Sequence, residues 1–249
     1  MFSIAALIPS PPILVPELAG AARAGTDDPD DPIPTLRAAV AAAVGELAAH
    51  CARWTVLGVG DEDAESGPES IGTFKGYGVD VTVALSPAAE GGIPDPLLPL
   101  PALLAGNLRA RHAPEASVSV RVLARDTPVE RCVAVGERLR AELDAVAEPR
   151  GVLVVADGAT TLTLKSPGYL DERAEAQQQA LDRALSAGDR AGLLALDPKL
   201  CAELGISGRA AYQAAAGLFA ADPEVRTRYR AAPFGVGYFV GLWRPGGTE

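Results

Sequence analysis

Six short strand-like segments, at Phe2–Ile8, 54–59, 79–85, 118–123, 151–156 and 236–242, are spread along the chain and constrain its fold more than any other feature, with 79–85 marked by alternation rather than by a continuous apolar run. Most are cut off by proline, glycine or aspartate, as expected of strands buried on both faces. Between them lie segments with apolar residues at helical spacing. In 35–53 these are Leu36, Val40, Ala43, Val44, Leu47 and Ala48, the stripe of an amphipathic helix. Further helices are expected at 100–111, 128–146, 171–186 and 207–219, with Asp197 capping a short one that begins at Pro198. Strand and helix alternate over most of the length. The expected class is therefore α/β, with a central mostly parallel or mixed sheet flanked by helices.

No linker or internal repeat divides the 249 residues, and a single domain spanning 1–249 is expected. The stretch 25–34, with four aspartates and three prolines, reads as an exposed loop. A 48% hydrophobic content excludes a disordered chain. No apolar run reaches the roughly 18–20 residues that a membrane helix needs, so no membrane partner is expected. The net charge of -10 argues against nucleic acid, whose phosphates call for a basic surface.

Cys51, Cys132 and Cys201 are too few and too scattered for a disulfide framework or a zinc site. The apolar N-terminus lacks a basic region and is broken by Pro9, Pro11 and Pro12, which favours a strand and loop over a signal peptide. A cytoplasmic location follows as the default. Only Lys75, Lys165 and Lys199 among the 22 basic residues are lysines, a bias that suggests a GC-rich genome.

Four segments carry a family resemblance: 8–17 (IPSPPILVPE), 55–60 (TVLGVG), Ala156-Asp157-Gly158 followed by 165–171 (KSPGYLD), and 232–240 (APFGVGYFV). Together they resemble the LigB-like class III extradiol ring-cleavage dioxygenases, and an actinobacterial branch of that superfamily in particular. The resemblance implies that family's α/β fold, a cleft at the carboxyl edge of the sheet and homodimerisation. It also implies Fe(II) held by two histidines and a glutamate, with a further histidine as acid/base.

This chain departs from the implied pattern at each position. Ser10 stands where the first histidine would be, Gly60-Asp61 where the second would be, and Asp157-Gly158 where the acid/base histidine would be. The glutamate maps to Gly208, four residues before Tyr212. His50 and His112 precede strands, so both are expected near the opposite sheet edge, out of reach of the cleft. The two-histidine, one-carboxylate iron site is thus not expected here.

A polar set remains at the productive edge. Ser10, Asp157 and Lys165 are the candidate catalytic groups, and Glu17, Asp61, Thr160, Tyr169 and Tyr238 the candidate cleft residues. Asp61 and Asp157 offer oxygen ligands suited to Mg²⁺ or Mn²⁺ rather than iron. Three functional readings follow. One is a superfamily member that has lost iron and binds a small molecule, or runs iron-independent chemistry, in the ancestral cleft. The second is an Fe(II) dioxygenase with substitute ligands. The third is a non-enzymatic partner subunit or structural homodimer.

Overall fold

The computed structural model describes residues 1–19 and 31–246. In chain order the elements are β1 (Phe2–Ile8), α1 (Pro32–His50), β2 (Arg53–Gly60), β3 (Ala64–Ser66), β4 (Ile71–Thr73), β5 (Thr82–Ala84), α2 (Leu100–His112), β6 (Ser117–Ala124), α3 (Val129–Asp144) and β7 (Arg150–Val155). Then follow α4 (Ala174–Ala187), α5 (Arg190–Leu194), α6 (Pro198–Glu203), α7 (Arg209–Gly217), β8 (Glu224–Ala231) and β9 (Tyr238–Arg244). The expected α/β class holds: a seven-stranded mixed sheet in the order β3-β6-β2-β7-β1-β9-β8 is flanked by helices. Its centre, β6-β2-β7-β1, is parallel, and β3, β9 and β8 run antiparallel at the margins.

The pleat sorts β1, β2 and β7 between two cores. Ile4, Ala6 and Ile8 of β1 pack with Leu36, Val40 and Val44 of α1 and with Leu104 and Leu108 of α2. Ala5 and Leu7 face Leu139 of α3, Leu181 of α4 and the alanines of α7. Strands covered on both sides need no polar alternation, which is why they read as continuous apolar runs. Among the described residues, no helix is long and apolar enough to cross a membrane.

Three expectations need correction. The run 79–85 forms β5, which pairs with β4 in a separate two-stranded ribbon and stays outside the main sheet. Helix α1 begins at Pro32, three residues before the expected start, because Asp31 caps it by accepting from Ile33 N and prolines suit a first turn. The rest of the expected loop, 25–30, lies outside the described residues. Strand β8 was not expected, since its half-exposed, arginine-bearing sequence lacks an apolar run.

The order of connections sets the site. After β1 the chain passes to α1 on one face, whereas after β7 it passes to α4 on the other. Neighbouring parallel strands whose connections leave in opposite directions open a crevice at their carboxyl ends. Ser10 follows β1 and Asp157 follows β7, so both stand at that crevice.

Candidate functional site at the β1–β7 crevice

Asp157 is half-buried, and Ser10 supplies a donor to each of its carboxylate oxygens. The Ser10 N–H donates to Oδ1 at 2.7 Å, and the Ser10 hydroxyl donates to Oδ2. Burial pushes the Asp157 carboxyl above its ordinary range, and the two Ser10 hydrogen bonds only partly oppose that rise. Tyr238 and Tyr212 feel the same carboxylate. Burial, then the Asp157 charge, raises both phenols. Tyr212 donates its hydroxyl to the Ala156 carbonyl at 2.8 Å, fixing the end of β7 from helix α7.

The backbone around Asp157 is tied down on all sides. Its carbonyl accepts from Gly208 N at 3.1 Å, Gly158 N donates to the Gly237 carbonyl at 2.8 Å, and Gly237 N returns a bond to Ala159 at 2.9 Å. Gln178 of α4, 7% exposed, accepts from Ala159 N at 2.8 Å and donates to Asp182 at 2.8 Å. Sequence reasoning missed Gln178. Its signal was a lone polar residue in the stripe Ala174, Gln178, Leu181, Leu185, where a buried amide needs partners.

The 165–171 and 232–240 segments form one unit. Ser166 Oγ donates to the Gly235 carbonyl at 2.9 Å and accepts from Thr163 N at 2.8 Å, and Leu162 N also reaches the Gly235 carbonyl. The 165–171 and 232–240 motifs are therefore halves of one hydrogen-bonded scaffold, to which residues 162–163 contribute.

The candidate residues divide. Ser10, Asp157 and Tyr238 come together. Thr160 is half-buried and structural, its N–H bonded to the Leu204 carbonyl and its Oγ1 lying 1.9 Å from where a Gly205 Cβ would be. Glu17 departs from the expected cleft placement: it pairs at 2.5 Å with Arg111, near the end of α2. Asp61 also departs, because Arg125 draws its exposed carboxylate into an ion pair. Lys165 lines an open surface groove with Leu164, Pro233 and Phe234, and Tyr169 stands 73% exposed at a positive φ of 62°.

The donor set does not suit Fe(II). Among the described residues, no group of three or more His, Cys, Asp or Glu converges as metal ligands. Instead, Ser10 and Asp157 satisfy one another. His50 has its Nδ1 at 2.8 Å from the Glu46 carbonyl and its Nε2 at 3.0 Å from Arg244. His112 closes α2, and burial, followed by the Arg111 charge, lowers its pKa. The Gly208 position has no room for a glutamate: a Cβ there would sit 2.5 Å from the Asp157 carbonyl oxygen and 2.7 Å from the Ala156 Cβ. What the arrangement offers is a serine hydroxyl donating to a carboxylate whose pKa burial raises, beside a buried phenol.

No family model matches the sequence, and no curated protein matches it. Among solved structures, the chain is similar to an uncharacterized protein from Escherichia coli K12, with a TM-score of 0.56 and 10% identity over 96% of this chain and 99% of that one. That likeness concerns the fold.

Proposed function

We propose that this chain is an iron-free member of the LigB-like extradiol dioxygenase superfamily, whose β1–β7 crevice binds a small organic molecule. One observation supports this reading above the others. Ser10 and Gly208, which by resemblance replace the first histidine and the glutamate, each donate directly to Asp157, which replaces the acid/base histidine: Ser10 to its carboxylate and the Gly208 N–H to its backbone carbonyl. Positions 10, 157 and 208 are far apart in sequence, and a shared ancestral site accounts for their meeting. Asp157 and Ser10 would contact a polar group of the ligand, and Tyr238 would form part of the wall. The crevice lacks a strong base: a carboxylate polarises the Ser10 hydroxyl without readily removing its proton.

The test is oxygen uptake with catechol after anaerobic loading with Fe(II). The reading expects no uptake above the metal-free control and no ring-opened product. Catalytic uptake with the yellow absorbance of a ring-opened product would overturn it in favour of a dioxygenase with substitute ligands.

A further inference from the structure

Arg209 is 2% exposed, and the acceptors that hold its guanidinium are neutral. Its Nη1 donates to Gln213 Oε1 at 2.7 Å, and its Nη2 donates to the carbonyls of Arg125 at 2.7 Å and Thr127 at 2.8 Å. The comparable buried arginine, Arg109, is 1% exposed and has a carboxylate, Glu90, at 2.7 Å. Neutral acceptors satisfy the hydrogen bonds of Arg209 but leave its charge uncompensated, which is costly in a low-dielectric interior. Its position adds to the imbalance. Arg209 is the first residue of α7, at the positive end of the helix dipole, where a cation is disfavoured.

The neighbouring thiols do not supply the missing charge. Burial pushes the Cys201 thiol up to about 11, and burial also raises Cys132 against the opposing pull of Arg209. Both are therefore neutral near pH 7.

Arg209 lines a cleft of about 410 Å³, a volume suited to a small organic ligand. The mouth carries two exposed cations, Lys199 and Arg125, against one exposed carboxylate, Asp126. Arg125 is shared with Asp61, whereas Lys199 has no ion-pair partner among the described residues. Pro198, Ala202 and Ile206 supply an apolar wall. A net positive, partly apolar concavity is thus built into a chain of net charge -10.

We propose that this cleft binds a small organic anion, with a carboxylate attracted by Lys199, Arg125 and the buried Arg209, and with an apolar body against Pro198, Ala202 and Ile206. The cleft shares no lining residue with the Ser10–Asp157 pair, so the proposal stands apart from the function proposed above.

Benzoate and its neutral isostere benzamide are the probes, titrated calorimetrically against the whole chain. Benzoate is expected to bind at least about tenfold more tightly than benzamide, a difference of about 1.4 kcal/mol, and to weaken with added salt. Lys199→Glu, at an exposed position, is expected to weaken benzoate about tenfold. Ala202→Trp, also exposed, is expected to fill the cleft and abolish binding, with circular dichroism reporting that each variant is folded. Ser10→Ala is expected to leave benzoate binding unchanged, which separates this cleft from the β1–β7 crevice. Equal binding of the two probes, no saturable benzoate binding in the millimolar range, or full binding by a folded Ala202→Trp variant would each overturn the proposal.

Discussion

Ser10 and Asp157, 147 residues apart, are locked by two hydrogen bonds in which one residue supplies both donors and the other both acceptors. The pair closes the parallel β1–β7 register, whose last rung is Ile8 opposite Val155.

Asp157 makes an unusual contribution to pH dependence. Its folded-state pKa is raised by burial, so between the unfolded and folded values the native state binds the extra proton. Stability from this group therefore falls as pH rises through that window, the reverse of an ion-paired carboxylate. Asp157→Asn removes the titration. Urea unfolding in steps from about pH 4 to 7 should show the variant gaining on the parent as pH increases. Parallel profiles would mean that Asp157 is not perturbed.

Glu46 behaves in the ordinary direction. Burial alone would raise its carboxyl, but hydrogen bonds from Arg228 and Arg244, with the charges of Arg228 and Arg226, outweigh burial and hold it low. Its stabilisation is present above the unfolded-state pKa and is lost as pH falls through the folded one. Glu46→Gln should cost about 1–3 kcal/mol at neutral pH and progressively less in acid, because three guanidiniums lose their shared counter-charge. A penalty independent of pH would count against this account.

Helices α3 and α7 touch at Gly136, where a Cβ would lie 2.0 Å from the Ala214 carbonyl oxygen and 2.8 Å from Leu218 N. Gly136→Ala gains about 1 kcal/mol of helix propensity. The backbone collision should outweigh that gain and leave the variant less stable by roughly 1–3 kcal/mol in denaturant unfolding. A stabilised variant would show that the two helices separate easily.

Ser166→Ala removes the hydroxyl that joins Thr163 to Gly235. Hydrogen exchange should accelerate at the Thr163 and Leu162 amides while the β1–β7 amides stay protected. Unchanged exchange at those two amides would mean that the scaffold is held elsewhere.

Much of the sheet was legible because strands buried on both faces leave largely apolar runs, as in β1, β2, β7 and β9, while β6 alternates buried Val118, Val120 and Val122 with half-buried Ser117, Ser119 and Arg121. Strand β8 was not legible, since Arg226, Arg228 and Arg230 interrupt it at an exposed margin, and a register shift between Thr227 and Tyr229 carries its side chains from one face to the other, so neither an apolar run nor a steady alternation marked it. Ser10 and Asp157 were legible as residues just past strand ends. Their mutual pairing was not, because it depends on β7 inserting between β1 and β2, an order that no local pattern records. Asp61 was equally well placed by that rule and Glu17 lay on a loop beyond, yet Arg125 and Arg111 lie nearby and take their charges. Arg209 gave no signal of its own; its significance comes from burial without a carboxylate.

The central claim is that the Ser10–Asp157 crevice does not hold iron. The direct measurement is iron content per chain after anaerobic loading with Fe(II) and desalting, for the parent and for Ser10→Ala/Asp61→Ala/Asp157→Ala. The expected result is far less than one iron per chain in the parent, unchanged in the triple variant. Near-stoichiometric iron in the parent that the triple variant loses would contradict the account.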